Sequence, residues 1–485
     1  MFPSDPTETI PESENLGARK KSEAEPPALG FVVLWSADEP VFLGAWLPVT
    51  LGLAGSELVL GRGSSPAAAG EPPRVMAVRQ RPDGNHPLPA FMSPSLSKAQ
   101  LMVQARSPET LVVQNVGRRR LFVNGRQLEN AELRAGDIVD IGVQLTLLVA
   151  VRPRCWQSSL TALHAFTALH AFGEPDAHGF VGETPAAWRV RSQLSFAAAR
   201  SGHVLILGAT GTGKELVAQA LHRESKLAGP LVARNAATLP ESLVDAELFG
   251  NARGYPNPGM AERKGMIGAA HGGTLFLDEF ADLPTGAQAH VLRVLDGGEY
   301  HRLGEDRARH AAFRLVAATN RPESSLRKDV LARFDFRVET PGLAERREDI
   351  PLIALQLLRR MMVDNRDLET RFFSAAGVPR LSEGFMRRLV QRTYDANVRE
   401  LRQLLWSALA TSTGGELQWP EAEQAEPAAD AIESRPQDPT LEQLERALDA
   451  NNGSLEKTWR ALGFANRHVL NRLLRKYGLS VTKTH

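Results

Sequence analysis

Apolar positions change their spacing several times along the chain, and each change marks a boundary. Residues 1–27 show no periodic apolar pattern and are rich in Pro, Glu and Ser, the composition of a disordered tail. From 28 to 153 apolar residues come in short runs between glycines and polar turns, as in "GFVVLW", "SELVLGRG", "AQLMVQA", "TLVVQNVG", "RLFVNG", "DIVDIG" and "QLTLLVAV". Their length and Val/Leu/Phe content predict the strands of an all-β sandwich. The segment 154–177 breaks this pattern and reads as a linker. It holds "TALHAF" at 161–166 and again at 167–172. Helical spacing puts the two histidines on different faces, so the repeat reads as a slipped duplication in a linker helix rather than a metal site.

Between 178 and 345 the runs "HVLILG", "GPLVARN", "GTLFLDEF" and "FRLVAATN" alternate with helical stretches. That order predicts an α/β domain with a parallel sheet covered by helices. Residues 346–413 read as helical, with "EDIPLIALQLLRRM" amphipathic after the start signals Asp349 and Pro351. Residues 414–438 form a linker rich in Glu, Ala and Pro, with Arg435 its lone basic residue. The final stretch, 439–485, reads as short helices, so the chain is multidomain.

Composition narrows the function classes. Lys and Arg number 57 against 56 Asp and Glu, so affinity for nucleic acid must come from a local patch. The 43% hydrophobic and 23% charged content is that of a soluble globular protein. No apolar run approaches the roughly 20 residues needed to cross a bilayer, and no signal pattern opens the chain. A cytoplasmic location without a membrane partner is therefore expected. The single cysteine, Cys155, excludes an intramolecular disulfide framework and a cysteine-only metal site.

Two stretches carry candidate chemistry. "VLILGATGTGKE" is a strand, a glycine-rich turn and a helix start. Gly208, Gly211 and Gly213, with Thr212 between them, let backbone N–H groups curl around a phosphate at a helix N-terminus. Lys214 would reach the β- and γ-phosphates, and Glu215 stands where the general pattern has Ser or Thr. Further on, "GGTLFLDEF" is an apolar strand ending in Asp278 and Glu279. Asp278 there suits Mg²⁺, and Glu279 suits orienting and deprotonating a water. "LVAATN" ends another strand in Thr319 and Asn320, polar groups suited to sensing a γ-phosphate.

In this order these residues resemble the AAA+ domain of bacterial enhancer-binding proteins, the activators of sigma-54 RNA polymerase. The similarity runs from "GFVGETPAAW" to "YDANVRELRQLL" and includes Glu after the lysine. The resemblance implies a P-loop ATPase with a helical lid, using ATP and Mg²⁺ and working as a homo-oligomeric ring, with dimers when inactive. It makes Asn235 of "RNAATL" the restraint on the catalytic glutamate. It makes Arg327 and Arg333 of "LRKDVLARF" the fingers that complete a neighbour's site, and Arg399 of "NVREL" the sensor of the lid. Such fingers typically supply about 10³–10⁵ in rate.

The C-terminal stretch resembles the Fis-type helix-turn-helix of the same family. Leu455, Trp459 and Leu462 mark one buried face, "GFAN" makes a turn, and Val469, Leu470, Leu473, Leu474 and Tyr477 mark the next. Arg467, Asn471, Arg472, Arg475 and Lys476 are the candidate DNA contacts, and a two-fold pair would favour an upstream palindromic site. The N-terminal region resembles a forkhead-associated (FHA) domain, a phosphothreonine reader, through "LVLGRG", "LSKAQL" and "NVGRRRLFVNGRQL". Arg62 and Ser97 would hold the phosphate of a signalling partner. Gln100 replaces that family's histidine, and Arg119, Arg120 and Leu121 replace its Asn-Gly-Thr.

Where enhancer-binding proteins read Gly-Ala-Phe-Thr-Gly-Ala, residues 254–259 read Gly-Tyr-Pro-Asn-Pro-Gly. The phenylalanine and threonine that contact sigma-54 are replaced by Pro256 and Asn257, with Tyr255 one position early. Prolines fix φ and remove donors, so the loop is expected to be stiffer. Beside a sigma-54-coupled ATPase, the residues therefore also fit a DNA-binding regulator or repressor uncoupled from sigma-54. A third fit is a phosphopeptide-binding adaptor whose assembly ATP controls.

Overall fold

The computed structural model describes residues 27–49, 57–63, 72–154 and 170–420, with Leu444, Arg446, Ala447, Leu448, Thr458 and Leu474. The expected tail and most of the duplicated linker lie outside the described residues. So do all five candidate DNA contacts. The chain divides into two compact units, Met1–Pro420 and Glu421–His485. In the second, Leu444, Leu448, Thr458 and Leu474 are buried, Leu474 being one of the apolar-face residues expected there.

The expected sandwich forms. The strands β1 (Ala28–Ser36) and β2 (Leu145–Arg152) pair antiparallel at the centre of an eight-stranded sheet. A four-stranded sheet holding Leu58–Leu60, Leu101–Ser107, Thr110–Asn115 and Asn130–Leu133 shares one core with it, including Phe31, Val33, Leu101, Val113 and Leu147. All nine residues of β1 are buried, which an exposed sheet face would not allow. Its register with β2 slips between Val33 and Trp35. That bulge sets Leu34 and Trp35 in succession toward the lid, where they join a core with Ile353, Leu358, Phe385 and Leu405.

The ATPase region is a five-stranded parallel sheet. Its strands are β3 (Val204–Leu207), β4 (Leu231–Asn235), β5 (Thr274–Asp278), β6 (Arg314–Thr319) and β7 (Phe336–Glu339). They lie in the order β4-β5-β6-β3-β7. Helix α1 (Pro185–Ala198) starts on a Thr184 cap with proline at its first turn, and α2 (Lys214–Glu224) follows β3. The lid is built on α3 (Ile350–Met362), α4 (Phe385–Gln391) and α5 (Asn397–Thr411). It extends past the expected end at 413. Leu417 is fully buried and bridges to Leu381, and Trp419 packs on Phe385, so the linker begins later than its composition suggested.

Candidate active site

The turn between β3 and α2 is shaped by two glycines. Gly213 caps α2 at φ +101°, and Gly211 has φ +77°. A Cβ on Gly211 would also collide with the Ala396 carbonyl, so a side chain is excluded twice over. The lid seals this turn from above. Val398 N–H donates to the Gly211 carbonyl at 3.2 Å, and Asn397 Nδ2 donates to the Thr210 carbonyl at 3.0 Å. Behind the turn, the buried Thr212 hydroxyl donates to the Ala209 carbonyl and lies 2.8 Å from the Thr340 hydroxyl. Lys214 Nζ donates to the Gly208 carbonyl at 3.0 Å and sits 3.7 Å from Glu279 Oε1. Glu215 is exposed and accepts from Gln219 at 3.3 Å.

Strand β5 delivers Asp278 and Glu279 at its C-terminal end, the edge where open α/β sheets take ligands. Glu279 has φ +50° and ψ +45°, left-handed backbone that costs a non-glycine residue about 1–2 kcal/mol. Strain of this kind concentrates at functional sites. Its carboxylate accepts from the Asn320 backbone N–H at 3.2 Å, and Asp278 Oδ1 accepts from the Glu279 N–H at 3.1 Å. Asn320 Nδ2 reaches the Thr210 hydroxyl at 3.4 Å, which puts this side chain beside the turn.

Two strand-end residues make local bonds that their motifs do not name. Asn235 pairs across from Asp278 on the neighbouring strand, but its Oδ1 accepts from the Ala237 N–H at 2.9 Å. It caps the short turn that follows β4, as a strand-end asparagine readily does. Thr319 is fully buried and its hydroxyl accepts from the Arg321 N–H.

Between sheet and lid lies a cavity of about 700 Å³. Its floor is the turn with Lys214, Asp278 and Glu279. Phe180, Val181, Ile353 and Leu357 give it an apolar end, and Arg399 lines it from α5. Sequence reading missed Arg346, Arg360 and Arg402, which line the same cavity. Their signal was faint, one arginine on each of α3 and α5 and one at a kink. Arg346 is buried with a single bond from its guanidinium, to the Val181 carbonyl at 3.3 Å, and its Nε lacks a partner. Burial pushes this guanidinium below its ordinary pKa, opposed by the nearby Asp349 carboxylate.

Arg327 and Arg333 stand outside this cavity. Both are about half exposed, Arg327 paired with Asp329 and Arg333 with Asp296 at 2.8 Å. In the sandwich, Arg62 and Ser97 come together, since Arg62 N–H donates to the Ser97 carbonyl at 2.9 Å. The Ser97 hydroxyl accepts from the Arg118 N–H at 3.0 Å. Gln100 is buried and donates to Asn115 Oδ1 and to the Arg119 carbonyl, so it braces the loop that holds Arg118 to Arg120.

The loop Arg253–Met260 closes on itself. Gly254 N–H donates to the Met260 carbonyl at 2.9 Å. The buried Asn251 side chain lies within bonding distance of the carbonyls of Ala252, Tyr255 and Ala261. The Tyr255 ring lies directly on Gly304 of the adjoining hairpin, and Tyr255, Pro256 and Asn257 are all exposed.

Parallel sheet, glycine turn, strand-end acids and arginine-bearing lid together define an AAA+ ATPase. The sequence matches the sigma-54 interaction domain over residues 180–339 and the AAA+ ATPase lid domain over 344–431. The nitric oxide reductase transcription regulator NorR1 of Cupriavidus necator is 35% identical over 376 residues, 68% of this chain and 71% of that protein. The transcriptional regulatory protein ZraR of Salmonella typhimurium is 34% identical over 61% of this chain and 68% of its own. The crystal structure of NtrX from Brucella abortus in complex with ADP shares 28% identity over 63% of this chain and 70% of that one, with a TM-score of 0.44. The chain belongs to the family of sigma-54-dependent AAA+ transcription regulators. Its matches span from 52% to 71% of the length of the first few relatives. Among the described residues no helix is long and apolar enough to cross a membrane.

Proposed function

We propose that this protein is an ATP-hydrolysing transcription regulator that binds DNA and couples turnover in a ring to remodelling of sigma-54 RNA polymerase. The observation that carries the reading is the convergence of Lys214, Asp278, Glu279 and Arg399 on one cavity of about 700 Å³. A glycine cradle that a Cβ would fill, beside two carboxylates, fits a magnesium nucleotide. Among the described residues no group of three or more His, Cys, Asp or Glu side chains could hold a metal, so Mg²⁺ would rest on Asp278, phosphate and water. Lys214 and Arg399 neutralise phosphate charge, Asn320 senses the γ-phosphate, and Glu279 takes the proton of the attacking water. Arg327 and Arg333 exchange their own carboxylates for a neighbour's nucleotide on assembly. Arg467, Asn471, Arg472, Arg475 and Lys476 contact DNA, and Arg62 with Ser97 receives a phosphothreonine protein.

One observation favours a second reading, a DNA-binding regulator uncoupled from sigma-54. The Asn251 bonds and the seating of Tyr255 on Gly304 hold the degenerate loop closed, with the aromatic ring off its tip. Promoter opening by the full chain with sigma-54 polymerase and hydrolysable ATP decides between them. Open complexes that depend on Lys214 support coupling. ATP turnover and DNA binding without open complexes would establish the uncoupled regulator.

A further inference from the structure

Arginines on the lid fall into two groups. Arg359 pairs with Glu174 at 2.7 Å, Arg387 with Asp140 at 3.1 Å and Arg392 with Glu400 at 2.9 Å. The first two fasten the lid to its surroundings, and the third ties two lid segments together. Arg360, Arg399 and Arg402 differ, because all three line the cavity and no described carboxylate pairs with any of them. Their placement is regular. Ile353, Leu357 and Arg360 lie at i, i+4 and i+7 on one face of α3, and Arg399 and Arg402 lie at i and i+3 on one face of α5. The first turn of α5 is bonded to the glycine turn, so Arg399 stands over it and Arg402 one helical turn further out. With Lys214 and the buried Arg346 the cavity presents five cations against Glu215, Asp278 and Glu279.

We infer that Arg360 and Arg402 join Arg399 in a guanidinium rim that grips the polyphosphate of a bound nucleoside triphosphate and sets its preference over the diphosphate. The inference rests on the reading of this cavity as a nucleotide site. Arginine suits the task because its planar fork pairs two phosphate oxygens and keeps its charge at any physiological pH. Each added negative charge on the ligand gains from the rim, so the triphosphate gains more than the diphosphate. Arg360 and Arg402 are contact residues for binding, with no part in proton transfer.

The test is equilibrium binding of ATPγS and of ADP, each with Mg²⁺, to the full chain carrying Arg360→Ala with Arg402→Ala. ATPγS affinity should fall about tenfold or more, the scale of losing charge-assisted hydrogen bonds, and ADP affinity should fall less. Arg359→Ala, which removes the neighbouring arginine and its Glu174 pair, should leave both affinities unchanged. Wild-type ATPγS affinity in the folded double alanine variant would overturn the rim. Should that variant fail to fold, Arg360→Lys with Arg402→Lys keeps the charges and loses the forks. It should bind ATPγS measurably more weakly, and equal binding would again overturn the inference. A wild-type chain that binds neither nucleotide would overturn the nucleotide reading itself, and the rim with it.

Discussion

Glu279 sits in left-handed backbone at the end of a strand whose side chains are otherwise ordinary. That conformation brings its carboxylate to the Asn320 N–H and within 3.7 Å of Lys214 Nζ, between the phosphate turn and the neighbouring strand end. Glu279→Gln keeps the size and an accepting oxygen but cannot take a proton. ATP should still bind, while steady-state phosphate release falls by about 10²–10⁴, the usual worth of a positioned base. Undiminished release would remove Glu279 from its proposed role. Asp278, Glu279 and Lys214 were legible in sequence because each lies in a contiguous run whose local structure dictates where it points. Asn235 was named for the glutamate's restraint from a matching motif. Its bond from the Ala237 N–H two residues on is a local capping contact that the motif does not name.

At the scale of elements, Asp349 joins the start of the lid to the entry of the ATPase core. It is fully buried just before α3, and its carboxylate accepts from the backbone N–H groups of Glu183 and Thr184 at 2.7 and 3.1 Å. The Thr184 hydroxyl donates to it at 2.6 Å while also capping α1. Burial pushes the Asp349 carboxyl above its ordinary pKa, opposed by Arg346 and by these hydrogen bonds. Asp349→Ala would orphan two buried N–H groups and leave the buried Arg346 without its counter-charge. A loss of about 3–5 kcal/mol in urea denaturation is expected, the scale of breaking a buried charged network. Asp349→Asn, which keeps one acceptor, should lose less. The sequence read Asp349 as a helix start signal, correctly in place but without its partners, since those lie far back in the chain. The strands were legible for the same local reason. "GFVVLW" is apolar without alternation, the pattern of a strand buried on both faces, yet nothing in it says what covers the second face.

For the whole of the first unit, the answer is the lid. Leu34, Trp35, Ile138 and Leu148 of the sandwich belong to the same apolar cluster as the lid helices. The junction is also charged at its edges, where Arg152 Nε donates to Glu348 at 2.8 Å and Arg387 meets Asp140 at 3.1 Å, and Arg81 of the sandwich meets Glu183 at the entry of the ATPase core at 2.7 Å. Helix α3 thus lines the nucleotide cavity through Ile353, Leu357 and Arg360, and takes part in the sandwich–lid core through Ile350, Ile353, Ala354, Leu358 and Met362, with Ile353 common to both. Packed interiors do not deform continuously, so a change at either set of residues bears on the other. Trp35→Ala removes a large side chain from the shared core and replaces no residue that lines the cavity, at a cost of about 3–5 kcal/mol. If sandwich and lid act as one body, this variant should bind ATPγS more weakly than wild type under conditions where circular dichroism shows it folded. Limited proteolysis should then cut between sandwich and ATPase sooner than in wild type. Faster cleavage with unchanged nucleotide affinity would mean that the sandwich merely rests on the lid and has no bearing on the nucleotide cavity.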